Sequence, residues 1–140
     1  MRADMSAWPM LATLLFLLAA EPDVVVTRSA AVPAIERILK ADNLDVNTLS
    51  PQEIAAAMRD IRQGAAPSDF WVAYQAHVKA WSDYAAALDA AAKRQPGEPA
   101  SAGTEWAVGE ARTRINATFD TVERLARHRG ATIPLPCTRI

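Results

Sequence analysis

The chain has 140 residues, 51% hydrophobic and 22% charged, the length and composition of one globular domain rather than a disordered chain. Net charge is −1, with acids and bases interspersed and no basic block interleaved with aromatics, which argues against a nucleic-acid partner. The single cysteine, Cys137, excludes an internal disulfide and any multi-cysteine metal site.

The first twenty residues differ from the rest. Arg2 and the amino terminus precede an uncharged run from Ala7 to Ala20, with Ala19 and Ala20 ahead of Glu21-Pro22. The run is shorter than the roughly 20 apolar residues of a membrane span. It fits a cleaved secretory signal over residues 1–20, with an uncleaved inner-membrane anchor over residues 7–20 as the alternative. The expected address is therefore the periplasm or the exterior. Residues 21–30 read as a linker, whose Val24–Val26 triplet either packs on the fold or forms one short strand.

The remainder reads as helix. Alanine is abundant and β-branched runs are scarce, which favours an all-α fold. A short first helix is expected over Ala31–Ala41, with Pro33 at an early position and Val32, Ile35, Ile38 and Leu39 as its stripe. Leu44, Val46 and Leu49 then plug the end of a bundle. Ser50-Pro51-Gln52-Glu53 is a capping box, with Leu49 and Ile54 at the spacing of a hydrophobic staple. Ile54, Met58 and Ile61 form that helix's buried face, and Gly64 is its expected left-handed stop.

A long third helix is expected to follow the Ala65–Pro67 turn and to end by Arg94-Gln95, ahead of Pro96, with Ser68 as cap and Asp69 in the first turn; Pro67–Leu88 is its organising stretch. Five of the chain's nine aromatics lie in it. Phe70, Tyr74, His77, Trp81, Tyr84 and Leu88 recur at intervals of 4, 3, 4, 3 and 4, the seam of an antiparallel bundle. Arg94–Thr104 carries two prolines and two glycines and reads as a surface loop. Thr104 is the expected cap of the last helix, whose stripe is Val108, Ala111, Ile115, Phe119, Val122 and Ala126, ended by Gly130. The sum is an up-and-down bundle of two long and two short helices over residues 31–130, preceded by an apolar N-terminal helix and followed by a tail over 131–140.

Two blocks carry a resemblance. One is P-x-D-F-x-x-A-Y-x-x-H-x-x-A-W, here Pro67, Asp69, Phe70, Ala73, Tyr74, His77, Ala80 and Trp81. The other is I-N-x-T-F-D-x-V-E-x-x-A, here Ile115, Asn116, Thr118, Phe119, Asp120, Val122, Glu123 and Ala126. Together they cover about a third of the chain, and in them it resembles uncharacterised exported helical proteins of α-proteobacteria. The resemblance implies export and a helical fold. It transfers no activity and no catalytic residue.

His77 is the sharpest candidate for chemistry, because an imidazole inside an aromatic stripe must find a partner or stay neutral. It reads either as a core histidine tied to a facing helix, or as a ligand or base with Tyr74, Trp81, Tyr84, Glu123 and Arg112 around it. No Cys-x-x-Cys-His, Glu-x-x-His or Gly-rich phosphate loop is present, so no cofactor and no metal are assigned. Asn116-Ala117-Thr118 matches a glycosylation acceptor but sits mid-helix and reads as chance. Trp106 lies opposite its helix's apolar face, either packed under the proline-rich loop or the C-terminal tail, or exposed as a partner contact. Cys137 is an incidental thiol or the link of a homodimer. The expected role is a non-enzymatic binding or interaction module for a protein or small molecule; a haem, metal or small-ligand binder, or a small enzyme, built around His77 is the alternative.

Overall fold

The computed structural model describes residues 23–94, 102–135 and 140, with side chains from residue 30 onward except that of residue 102. The expected apolar leader, most of the proline-rich loop and Cys137 lie outside these residues. The described protein is all-helical: α1 (Asp23–Asp42), α2 (Pro51–Arg59), α3 (Ser68–Ala92) and α4 (Ala102–His128).

The long pair forms a hairpin whose register can be read from three contacts. Asp69 meets Arg129 at 2.6 Å, His77 meets Thr118 at 2.9 Å, and Asp83 meets Arg114 at 4.0 Å. As numbers rise along α3 they fall along α4, so the helices are antiparallel. The two stripes interdigitate: Phe70, Tyr74, Val78 and Trp81 of α3 are buried with Ile115, Phe119, Val122 and Ala126 of α4. Burying each large apolar side chain is worth about 1.5–3 kcal/mol, against about 0–1 kcal/mol for an exposed ion pair. The stripes therefore hold the hairpin, and the charges along its edge only trim the register.

α2 covers the later half of α3. Gln52 reaches the Asp89 carboxylate at 2.7 Å, and Arg59 reaches the Ser82 hydroxyl at 3.5 Å. Its start follows the expected box. Ser50 accepts from the Glu53 backbone N–H while Glu53 returns to the Ser50 N–H at 2.8 Å. Ile54, Ala55 and Met58 enter the core. α1 lies over the other end, where α3 begins and α4 stops. Its Glu36 accepts from the Thr132 N–H at 2.9 Å, its Arg37 donates to the Arg62 carbonyl at 2.6 Å, and its Asp42 meets Tyr74. Leu44, Val46 and Leu49 are half-buried against the core between α1 and α2.

Several boundaries differ from expectation. α1 begins at Asp23, so the stretch read as a linker is helical from residue 23 and the valine triplet lies within the helix, with Pro33 in its interior. β-branched residues cost only a few tenths of a kcal/mol each in a helix, too little to stop one. α2 ends at Arg59 with Asp60 in right-handed geometry, and Gly64, at φ +58°, turns the connector four residues later. Ser68 is the first helical residue of α3 rather than its cap, which is Pro67 without a side-chain bond. Thr104 lies inside the first turn of α4. The end of α4 follows the glycine signal: Gly130 has φ +79°, its N–H reaches the Arg127 carbonyl at 3.0 Å, and the Ala131 N–H reaches Ala126 at 3.0 Å.

Candidate functional site

The polar residues of the α3 seam form two joints, one facing each side. His77 turns toward α4. It is 0% exposed, its Nδ1 lies 2.9 Å from the Thr118 hydroxyl, and its ring sits 5.2 Å from that of Phe119. Thr118 has one hydroxyl proton, and its oxygen lies 2.8 Å from the Arg114 carbonyl and 3.0 Å from that of Ile115. With that proton given to the backbone, the oxygen is left to accept, which places the imidazole proton on Nδ1. Nε2 is then a bare acceptor, buried with no hydrogen-bond partner. Burial lowers the His77 pKa to about 4, partly offset by a backbone hydrogen bond at Ile115. The ring is neutral at pH 7.

Tyr74, one turn earlier, faces α1. Its hydroxyl donates to Asp42 Oδ1 at 3.1 Å. Asp42 is 1% exposed and is the last residue of α1. Burial pushes its carboxyl up to about 7, and the Tyr74 bond offsets part of that rise. The same pair drives the tyrosine the other way: burial, then the neighbouring carboxyl, hold its phenol far above the usual range. The Tyr74 ring also stacks on Trp71 at 5.6 Å.

The remaining named residues scatter. Trp81 is buried with its Nε1 unpartnered, and Tyr84 meets its ring edge-on at 6.2 Å. Glu123 pairs with Arg127 one turn along its own helix, at 2.5 Å. Arg112 is exposed. Among the described residues His77 is partnered by Thr118, Tyr74 by Asp42 and Glu123 by Arg127, so the polar residues of the α3 seam tie helices together. Trp106 is 70% exposed. Cys137 lies outside the described residues.

Asp42 stands in no motif and Thr118 only in the Ile115–Ala126 block, which assigns it no role, yet Asp42 was readable from periodicity. Ile35, Ile38 and Asp42 fall at intervals of 3 and 4, which puts the acid on the apolar line of α1. Thr118 carries no such signal, because its stripe position is set only once α3 is placed opposite.

Chemically, the joints are poor places for catalysis. Full burial of His77 means that no water-sized space touches it, so neither substrate nor ligand reaches Nε2 while the helices stay packed. Among the described residues no group of three or more His, Cys, Asp or Glu is placed to hold a metal ion, and no helix is long and apolar enough to cross a membrane. No protein-family profile, curated protein or solved structure matches the chain.

Proposed function

We propose that the chain is an exported, non-enzymatic interaction module that binds its partner with its surface. One observation carries the reading: the residue best suited to chemistry, His77, is enclosed and bonded to Thr118, while the indole of Trp106 stands 70% exposed on α4. Large exposed aromatics supply contact area at low entropic cost and are enriched at binding hot spots. The uncharged run of Ala7–Ala20 supports export to the periplasm, as does the resemblance carried by Pro67–Trp81 and Ile115–Ala126. A haem, metal or small-ligand site at His77 would require the hairpin to open around a ring that has no exposed surface.

Native mass spectrometry of the protein recovered from a periplasmic extract tests this. The expected species has lost its first ~20 residues, the length of a signal segment, and carries a partner that Trp106→Ala releases without lowering the melting temperature. A full-length cytosolic species, or a bound chromophore lost with His77→Leu, contradicts it.

A further inference from the structure

α1 is the element least tied to the rest. α3 and α4 approach each other closely along their length and α2 follows α3, whereas α1 makes few close backbone approaches. Besides the apolar face of Ile35, Ile38 and Leu39, which is buried in the core, three polar ties among the described residues hold it: Arg37 to the Arg62 and Gln63 carbonyls, Glu36 to the Thr132 N–H, and Asp42 to Tyr74. Of the three, only the Asp42–Tyr74 tie is buried. It also sits at the C-terminal end of α1, where the helix dipole is negative and a second negative charge is disfavoured.

We propose that Asp42 is a proton-operated latch on α1. With its carboxyl protonated, the last turn of α1 stays seated on Tyr74; with the carboxyl ionised, that turn and the connector over residues 43–49 open to water. The driving force is the cost of enclosing a charge in an apolar core, which rehydration relieves. The surroundings allow a local opening. Leu44 and Val46, which follow Asp42, are only half-buried, and the backbone there is a run of turns. Its charged neighbours along the chain, Lys40 and Asp45, are exposed. On the elements packed around it, His77 faces α4 through Thr118, Glu123 is paired with Arg127, and Arg59 and Asp60 are exposed at the end of α2. The Asp42 carboxyl, raised to about 7 by burial, thus titrates where the latch would act.

Hydrogen exchange of the full chain, followed by mass spectrometry at pH 5, 7 and 9 and corrected for intrinsic rates, reads the opening directly. A carboxyl that titrates near 7 when seated and near 3.8 when released makes opening of residues 38–49 rise about a hundredfold from pH 5 to pH 9, levelling off above ~8. The α3–α4 amides do not follow. Asp42→Asn makes the segment insensitive to pH, and Tyr74→Phe shifts the midpoint upward, because the lost hydrogen bond favoured the ionised carboxyl. A wild-type segment equally protected at all three pH values, or an Asp42→Asn chain that tracks the wild type, overturns the latch. Should Asp42→Asn fail to fold, a carboxyl-carbon titration of wild-type Asp42 by NMR decides: a midpoint near neutrality supports the latch, and one in the ordinary carboxylate range overturns it.

Discussion

The two joints on the α3 seam lie one turn apart and answer protons in opposite directions. Asp42–Tyr74 joins α1 to α3 through an acid whose pKa is raised to about 7; His77–Thr118 joins α3 to α4 through a base whose pKa is lowered to about 4. Burial causes both shifts, since it always disfavours the charged form. The consequences for stability have opposite sign. Between the unfolded and folded values of Asp42, the native state binds the proton more tightly, so its contribution is fully present below about 3.8 and is lost as pH rises through 7. Between 6.5 and 4, the unfolded state protonates His77 and the native state does not, so that contribution is lost as pH falls. The same seam thus carries one joint that tightens in acid and one that weakens, each worth about 2 kcal/mol between pH 6.5 and 4.5.

The comparison can be broken most severely at Tyr74. Tyr74→Ala removes a fully buried ring that stacks on Trp71 and leaves the Asp42 carboxyl enclosed without its hydroxyl donor. Urea unfolding should show a loss of about 3–5 kcal/mol, against about 1 kcal/mol for Tyr74→Phe. A smaller effect isolates the joints' protons. Asp42→Asn should lose about 2 kcal/mol on going from pH 6.5 to 4.5, and His77→Leu should gain a similar amount. At pH 7, His77→Leu should stay within about 1 kcal/mol of the wild type, because it removes an unpartnered Nε2 while Thr118 keeps its backbone acceptors. The smallest change is expected at the hairpin's edge. Arg129→Ala deletes the pair with Asp69 but should cost no more than about 1 kcal/mol in thermal unfolding, and less in high salt, because both side chains are partly exposed.

The features legible in the sequence are the ones settled locally or by periodicity. The Ser50–Glu53 box needs only four residues, and it closes as its spacing implies. The α4 stripe from Ala111 to Ala126 is buried at each of the positions its 3.6-residue period selects. The Val24–Val26 helix and the early end of α2 were not legible, because small propensity differences decide nothing once neighbouring helices pack. His77 could be singled out as a polar residue on an apolar face, but its partner could not. The choice between Glu123 and Thr118 depends on how the two long helices rotate and slide against each other, and the α3–α4 register that fixes it is a tertiary fact.

The most direct test is denaturant unfolding of the wild type, Asp42→Asn and His77→Leu at pH 6.5 and pH 4.5. The two opposed linkages predict that, on going from pH 6.5 to 4.5, the Asp42→Asn chain loses about 2 kcal/mol relative to the wild type and the His77→Leu chain gains about 2 kcal/mol relative to it. Three chains with the same pH dependence would contradict it.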